Sequence, residues 1–143
     1  MNDLISRAER FARVCHEGQF RKGKAKEPYT IHLGEVANLV EKWGGKDNAI
    51  AAAWLHDTVE DCPPISLADL ATLFGDEIAG IVAELTDDKS LPKAERKRKQ
   101  VENASHKSND ASLVKLADKT SNVGAISKSP PTNWSLERRL AYL

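Results

Sequence analysis

The chain has 143 residues, 41% of them hydrophobic, with 21 basic and 21 acidic side chains and a formal net charge of zero. That length suits one domain burying about two-thirds of the surface its unfolded form exposes. The charge balance excludes a protein that works by bulk attraction to nucleic acid or to an anionic membrane.

Leu4, Ala8, Phe11, Ala12 and Cys15 recur at helical spacing and define a first amphipathic helix that should end near Gly18. The following stretch, QFRKGKAKEPYT, is rich in cations with a Gly and a Pro, and reads as a loop. Val36, Leu39, Val40 and Trp43 mark a second helix closed by Gly44 and Gly45. Asp47 is placed to cap a third, whose AIAAAWL is apolar all round and so should run through the core. Beyond Pro63 and Pro64, Ser66 and Asp69 make a capping box ahead of Leu67, Leu70, Leu73 and Phe74. Ile78, Ile81, Val82 and Leu85 give another helix, and Pro92 opens a strongly basic one, KAERKRKQ. Asn109 or Asp110 can cap ASLVKLADKTSNV, where Leu113, Val114, Leu116 and Ala117 should be largely buried, and WSLERRLAYL is the last helical pattern. With no β-alternation, repeat or low-complexity linker, the chain reads as one all-α domain of about seven or eight helices.

Two cysteines, Cys15 and Cys62, stand in no metal-like spacing and point to a reduced, intracellular setting. No apolar run approaches the ~20 residues of a membrane span, and MNDLISRAERFARV is too charged for a secretory leader. A soluble, cytoplasmic protein with no membrane or nucleic-acid partner is expected.

The chemistry concentrates at AAAWLHDTVEDCPP. On one continuous helix His56 would lie over Glu60 and Asp57 over Asp61, near a C-terminus enforced by the prolines. Extra carboxylates there are unfavourable by roughly 0.3–1 kcal/mol each, a sign that a cation reverses. Two further groups can complete a metal site. His32 begins the second helix directly after the basic loop, and Asp118 sits in an apolar helix where an unpaired carboxylate is costly, although Lys115 or Lys119 could instead be its partner. His16 and His106 read as capping or solvated. Together His32, His56, Asp57 and Asp118 offer two nitrogens and two oxygens, a set suited to Mn²⁺, Fe²⁺ or Zn²⁺. Glu60 or Asp61, one turn along, could take a proton from a metal-bound water in a hydrolase layout. Arg21, Lys22, Lys24 and Lys26 favour an anionic, phosphate-bearing substrate, and Tyr29 offers a surface on which a base could stack.

Read in order, R-K, P-Y-x-x-H, L-H-D-T-V-E-D, T-D-D-K and K-L-A-D-K-x-x-N resemble the hydrolase domain of the RelA/SpoT homologues, most closely the stand-alone small alarmone hydrolases of the metazoan type. The resemblance covers practically the whole chain. It implies an HD-domain phosphohydrolase fold over residues 1–143, one Mn²⁺ held by His32, His56, Asp57 and Asp118, and hydrolysis of the 3′-pyrophosphate of ppGpp or pppGpp. It also implies that Glu60 and Asp61 activate the attacking water and that Arg21, Lys22, Tyr29, Asn122, Arg138 and Tyr142 meet the nucleotide. Related enzymes that remove the 2′-phosphate of NADPH, and a silent alarmone-binding domain, are the alternatives. Three departures stand out: the loop reads RKGKAKEPY with Leu33 rather than Pro after His32, Thr120 replaces a usual Leu, and relatives continue past the position of Leu143.

Overall fold

The computed structural model describes residues 3–22, 26–87, 90–103 and 108–128. These form eight helices: α1 (Asp3–Cys15), α2 (Tyr29–Lys42), α3 (Asp47–Leu55), α4 (Thr58–Asp61), α5 (Leu67–Phe74), α6 (Asp76–Leu85), α7 (Lys93–Asn103) and α8 (Asn109–Lys128). The only β pairing among the described residues is an isolated antiparallel bridge between Phe20 and Pro28, so the all-α expectation holds. Arg138, Tyr142, His106, Lys24 and the WSLERRLAYL segment lie outside the described residues.

The architecture is organised around α3. Every residue from Ala49 to Leu55 is buried, and α1, α2, α6 and α8 all pack against this one short helix. Its alanines make that possible, because methyl side chains let four neighbours approach at once while Leu55 and Trp54 fill the wider gaps. Gly34 of α2 faces the Trp54 indole, whose edge lies 3.5 Å from where a Cβ would stand, an ordinary van der Waals distance. Leu33, Val36 and Val40 of α2, Ile78 and Val82 of α6 and Val114 of α8 complete the core.

Four local expectations are corrected. The third helix does not continue through the acidic residues: it ends at Leu55, and Asp57 adopts φ −104° and ψ −1°, between two helices. The cause is visible in the side chains. His56 Nδ1 lies 2.6 Å from the Ala53 carbonyl and Thr58 Oγ1 donates to the Leu55 carbonyl at 2.8 Å, so side chains satisfy the carbonyl groups a continuing helix would have used. Glu60 and Asp61 therefore occupy the separate short helix α4. Asp47 lies inside the first turn of α3, whose N-cap is Lys46. The cap of α8 is Ser108, which accepts from Ala111 N at 3.1 Å and is itself held by both carboxylate oxygens of Glu84 at 2.7 Å. Leu116 is exposed, while Val114 and Ala117 point inward on the opposite side of α8. The Ser66–Asp69 capping box forms as expected.

Candidate active site

Three pieces of backbone converge at one end of α3. The first turn of α2 carries His32, the turn between α3 and α4 carries His56 and Asp57, and the middle of α8 carries Asp118. His32 and His56 are buried, and the two carboxylates are mostly so. One donor atom from each of the four lies within 4.8 Å of all the others. His32 Nε2 stands 3.0 Å from Asp118 Oδ1 and 3.9 Å from Asp57 Oδ2, and His56 Nε2 stands 3.3 Å and 3.1 Å from the same two oxygens. Ligands about 2.1 Å from a common ion lie roughly 3.0–3.4 Å apart when adjacent, so these separations suit a single divalent cation.

The rest of each side chain is oriented to leave those donors facing inward. His56 Nδ1 is engaged by Ala53 O and His32 Nδ1 by Ser121 Oγ at 2.9 Å, so both imidazoles present Nε2 to the cluster. Tyr29 donates its phenol to Asp57 Oδ2 at 2.5 Å, and Asn122 Nδ2 donates to Asp118 Oδ1 at 3.3 Å. The electrostatics agree with a cation site. Burial opposes charge on His56, yet Asp57 and Asp118 outweigh it and hold its pKa well above the ordinary histidine value. Burial likewise pushes Asp57 and Asp118 upward, and the facing imidazoles more than reverse it, leaving both carboxyls below their usual range. The spot favours positive charge, which a divalent ion supplies without the proton. The donor set therefore fits a metal.

The other expected residues are placed as follows. Glu60 is half-buried on α4, where its Oε1 accepts from Asp87 N at 3.3 Å. Asp61 is exposed at the end of α4; its carbonyl accepts from Gln19 Nε2 at 3.1 Å. Lys22 is exposed. Arg21 turns inward instead: its guanidinium stands 3.5 Å from Glu35 and 3.8 Å from Glu27 and donates to the Ser121 carbonyl at 3.3 Å. Tyr29 is not a free platform for a base, because its phenol is committed to Asp57 and its ring stacks on His16 at 5.0 Å. Burial, then Asp57, raises the Tyr29 pKa, so the phenol stays a donor.

His16 corrects the sequence reading. Gly18, at φ +80°, turns the chain back so that Gln19 and Tyr29 cover His16, which is 1% exposed; Nδ1 lies 2.7 Å from Gln19 Oε1 and 3.5 Å from Cys62 Sγ. Nothing in its local sequence distinguishes it from a solvated helix-end histidine, since every partner of its side chain comes from outside α1. Ser121 and Glu35 were also missed, and only the contacts of Ser121 with His32 and of Glu35 with Ser121 bring them into view.

An HD domain family model matches residues 8–141, and the chain belongs to that family. Among individual relatives it is 45% identical over 97% of its length to the guanosine-3′,5′-bis(diphosphate) 3′-pyrophosphohydrolase MESH1 of Xenopus tropicalis, covering 78% of that protein. It is 42% identical to the Homo sapiens protein of the same name over 92% of this chain and 74% of that one. A solved metazoan orthologue of SpoT, described as hydrolysing ppGpp and playing a role in starvation responses, superposes with a TM-score of 0.92 at 40% identity, covering 99% of this chain and 80% of that one.

Proposed function

We propose that this protein is a Mn²⁺-dependent guanosine-3′,5′-bis(diphosphate) 3′-pyrophosphohydrolase that converts ppGpp or pppGpp to GDP or GTP and pyrophosphate in the cytoplasm. The observation that carries the reading is the convergence of His32, His56, Asp57 and Asp118 within 4.8 Å, in a chain whose relatives are named for that hydrolysis. When bound, the ion lowers the pKa of a coordinated water and polarises the phosphoryl group under attack.

The chain's own residues do the rest. Water adds to the phosphorus next to the ribose 3′ oxygen, the bond between them breaks, and the products are a 3′-hydroxyl and pyrophosphate. Glu60, with Asp61 beside it, accepts the proton of that water, and a proton from solvent completes the hydroxyl at the departing 3′ oxygen. Tyr29 and Asn122 hold the two carboxylates in place through their hydrogen bonds. Lys22 and Asn122 contact the nucleotide, Lys22 supplying positive charge to its phosphates, and the same role is proposed for Arg138 and Tyr142, which lie outside the described residues.

Purified protein incubated with ppGpp and Mn²⁺ should release pyrophosphate and leave GDP. Orthophosphate as the sole phosphorus product, or release of phosphate from NADPH with ppGpp left intact, overturns the assignment. Asp57→Asn should lose metal and activity together. Glu60→Gln should keep the metal and lose at least about 10²-fold in kcat; a fully active Glu60→Gln removes Glu60 from its role.

A further inference from the structure

The two imidazoles of the cluster are steadied in different ways. His56 leans on a main-chain carbonyl, Ala53 O, which no substitution at that position removes. His32 leans on a side chain, Ser121 Oγ at 2.9 Å. That hydroxyl is 2.6 Å from Glu35 Oε2, and Glu35 is in turn 3.5 Å from Arg21, whose guanidinium also donates to the Ser121 carbonyl at 3.3 Å. The direction of these bonds is fixed by chemistry. An ionised carboxylate only accepts, so Ser121 gives its one proton to Glu35; the serine oxygen can then only accept from His32, which requires the hydrogen on Nδ1. In the neutral ring Nε2 is thereby left with its lone pair toward the cluster. Without this constraint the opposite tautomer has the better partners, because Nε2 faces Asp118 Oδ1 at 3.0 Å and a hydrogen there would be well received.

We infer that Arg21, Glu35 and Ser121 form a relay from α2 to α8 that fixes the His32 tautomer and keeps its Nε2 available to a divalent ion, with Arg21 acting as a positioning residue and not as a phosphate contact. The inference rests on the metal-site reading of the cluster. The placement of Arg21 suits that role, since its side chain is only 10% exposed, whereas that of Glu35 is 46% exposed and needs a cation to hold it over the buried serine. Groups of this kind behind a metal-bound histidine orient the ring and raise its donor strength.

The test has two arms. In the first, ¹⁵N-histidine-labelled, metal-free protein is studied by long-range ¹H–¹⁵N NMR, which distinguishes the two tautomers from each other and from the imidazolium, at a pH raised until no His32 imidazolium signal remains. Wild-type His32 should carry its hydrogen on Nδ1, and Ser121→Ala should move it to Nε2. Glu35→Ala, at a half-exposed position where folding is not at stake, should do the same by freeing the serine hydroxyl to donate. In the second arm, Mn²⁺ affinity is read by EPR titration: Ser121→Ala and Glu35→Ala should bind about 10–100-fold more weakly, and Ser121→Thr, which keeps a hydroxyl, should stay close to wild type. Arg21→Gln should weaken Mn²⁺ binding while leaving KM for ppGpp at saturating Mn²⁺ unchanged. The relay is overturned if Ser121→Ala and Glu35→Ala keep the Nδ1 hydrogen and wild-type affinity, or if Arg21→Gln raises KM with metal affinity untouched. Failure of wild-type protein to bind Mn²⁺ would sink the metal reading instead, and the NMR arm would still decide the relay.

Discussion

Tyr29→Phe removes one hydrogen bond, the 2.5 Å contact to Asp57, while keeping the ring stacked on His16. The expected result is a roughly tenfold weaker Mn²⁺ affinity with an unchanged melting profile, measured on metal-free protein, because the lost group orients a carboxylate of the cluster and supports no packing. Cys62 makes a second single-residue case. Burial raises its thiol to about 11, so at pH 8 only on the order of one molecule in a thousand carries the thiolate, the reactive form. Alkylation of Cys62 by iodoacetamide at pH 8 should therefore be far slower than that of glutathione, and should accelerate as pH rises. At this scale the sequence was informative about the members of the cluster and poor about their supports. His56 and Asp57 announce themselves as an imidazole and a carboxylate closing an apolar helix, and Asp118 as a charge inside another. His16, Glu35, Ser121 and the inward turn of Arg21 do not, since each acquires its role from a contact made across the fold.

Among the elements, the joint between α2 and α3 leaves no room for a side chain at Gly45. A Cβ on Gly45 would meet Val40 Cγ1 at 2.4 Å, Val40 O at 2.9 Å and Leu113 Cδ2 at 3.0 Å. One of those neighbours is backbone and cannot rotate away, so Gly45→Ala should destabilise the fold by about 1–3 kcal/mol, read from urea denaturation. Ser66→Ala should cost about 1 kcal/mol by breaking the capping box at the start of α5. Most helices were legible from 3.6-residue periodicity and their end signals. The break after Leu55 was not, because HDTVED continues the helical pattern without a glycine or proline until Pro63. What ends the helix is capture of its last carbonyls by His56 and Thr58, and that competition between side chain and main chain leaves no periodic trace.

For the whole molecule, the cluster joins α2, the α3–α4 turn and α8, so an ion bound there cross-links most of the chain's length. Mn²⁺ at 100 times its Kd should add about 2.7 kcal/mol to unfolding. That corresponds to a rise in Tm on the order of 5–10 °C for a domain of this size, reversed by EDTA, in a thermal scan. A Tm indifferent to Mn²⁺ would mean that the folded state has no such site. The all-α class followed directly from the missing β-alternation. The arrangement of four helices around α3 was foreshadowed only by its uniform alanine-rich character.

His32 and Asp118 are 86 positions apart, yet their side chains stand 3.0 Å from one another. Bringing together a pair so distant along the chain costs loop-closure entropy before its contacts reward it, which places it among the later contacts expected to form. A rapidly captured, spectroscopically visible ion added during refolding would therefore act as a clock for the final docking of α8, marking the moment when the molecule becomes competent.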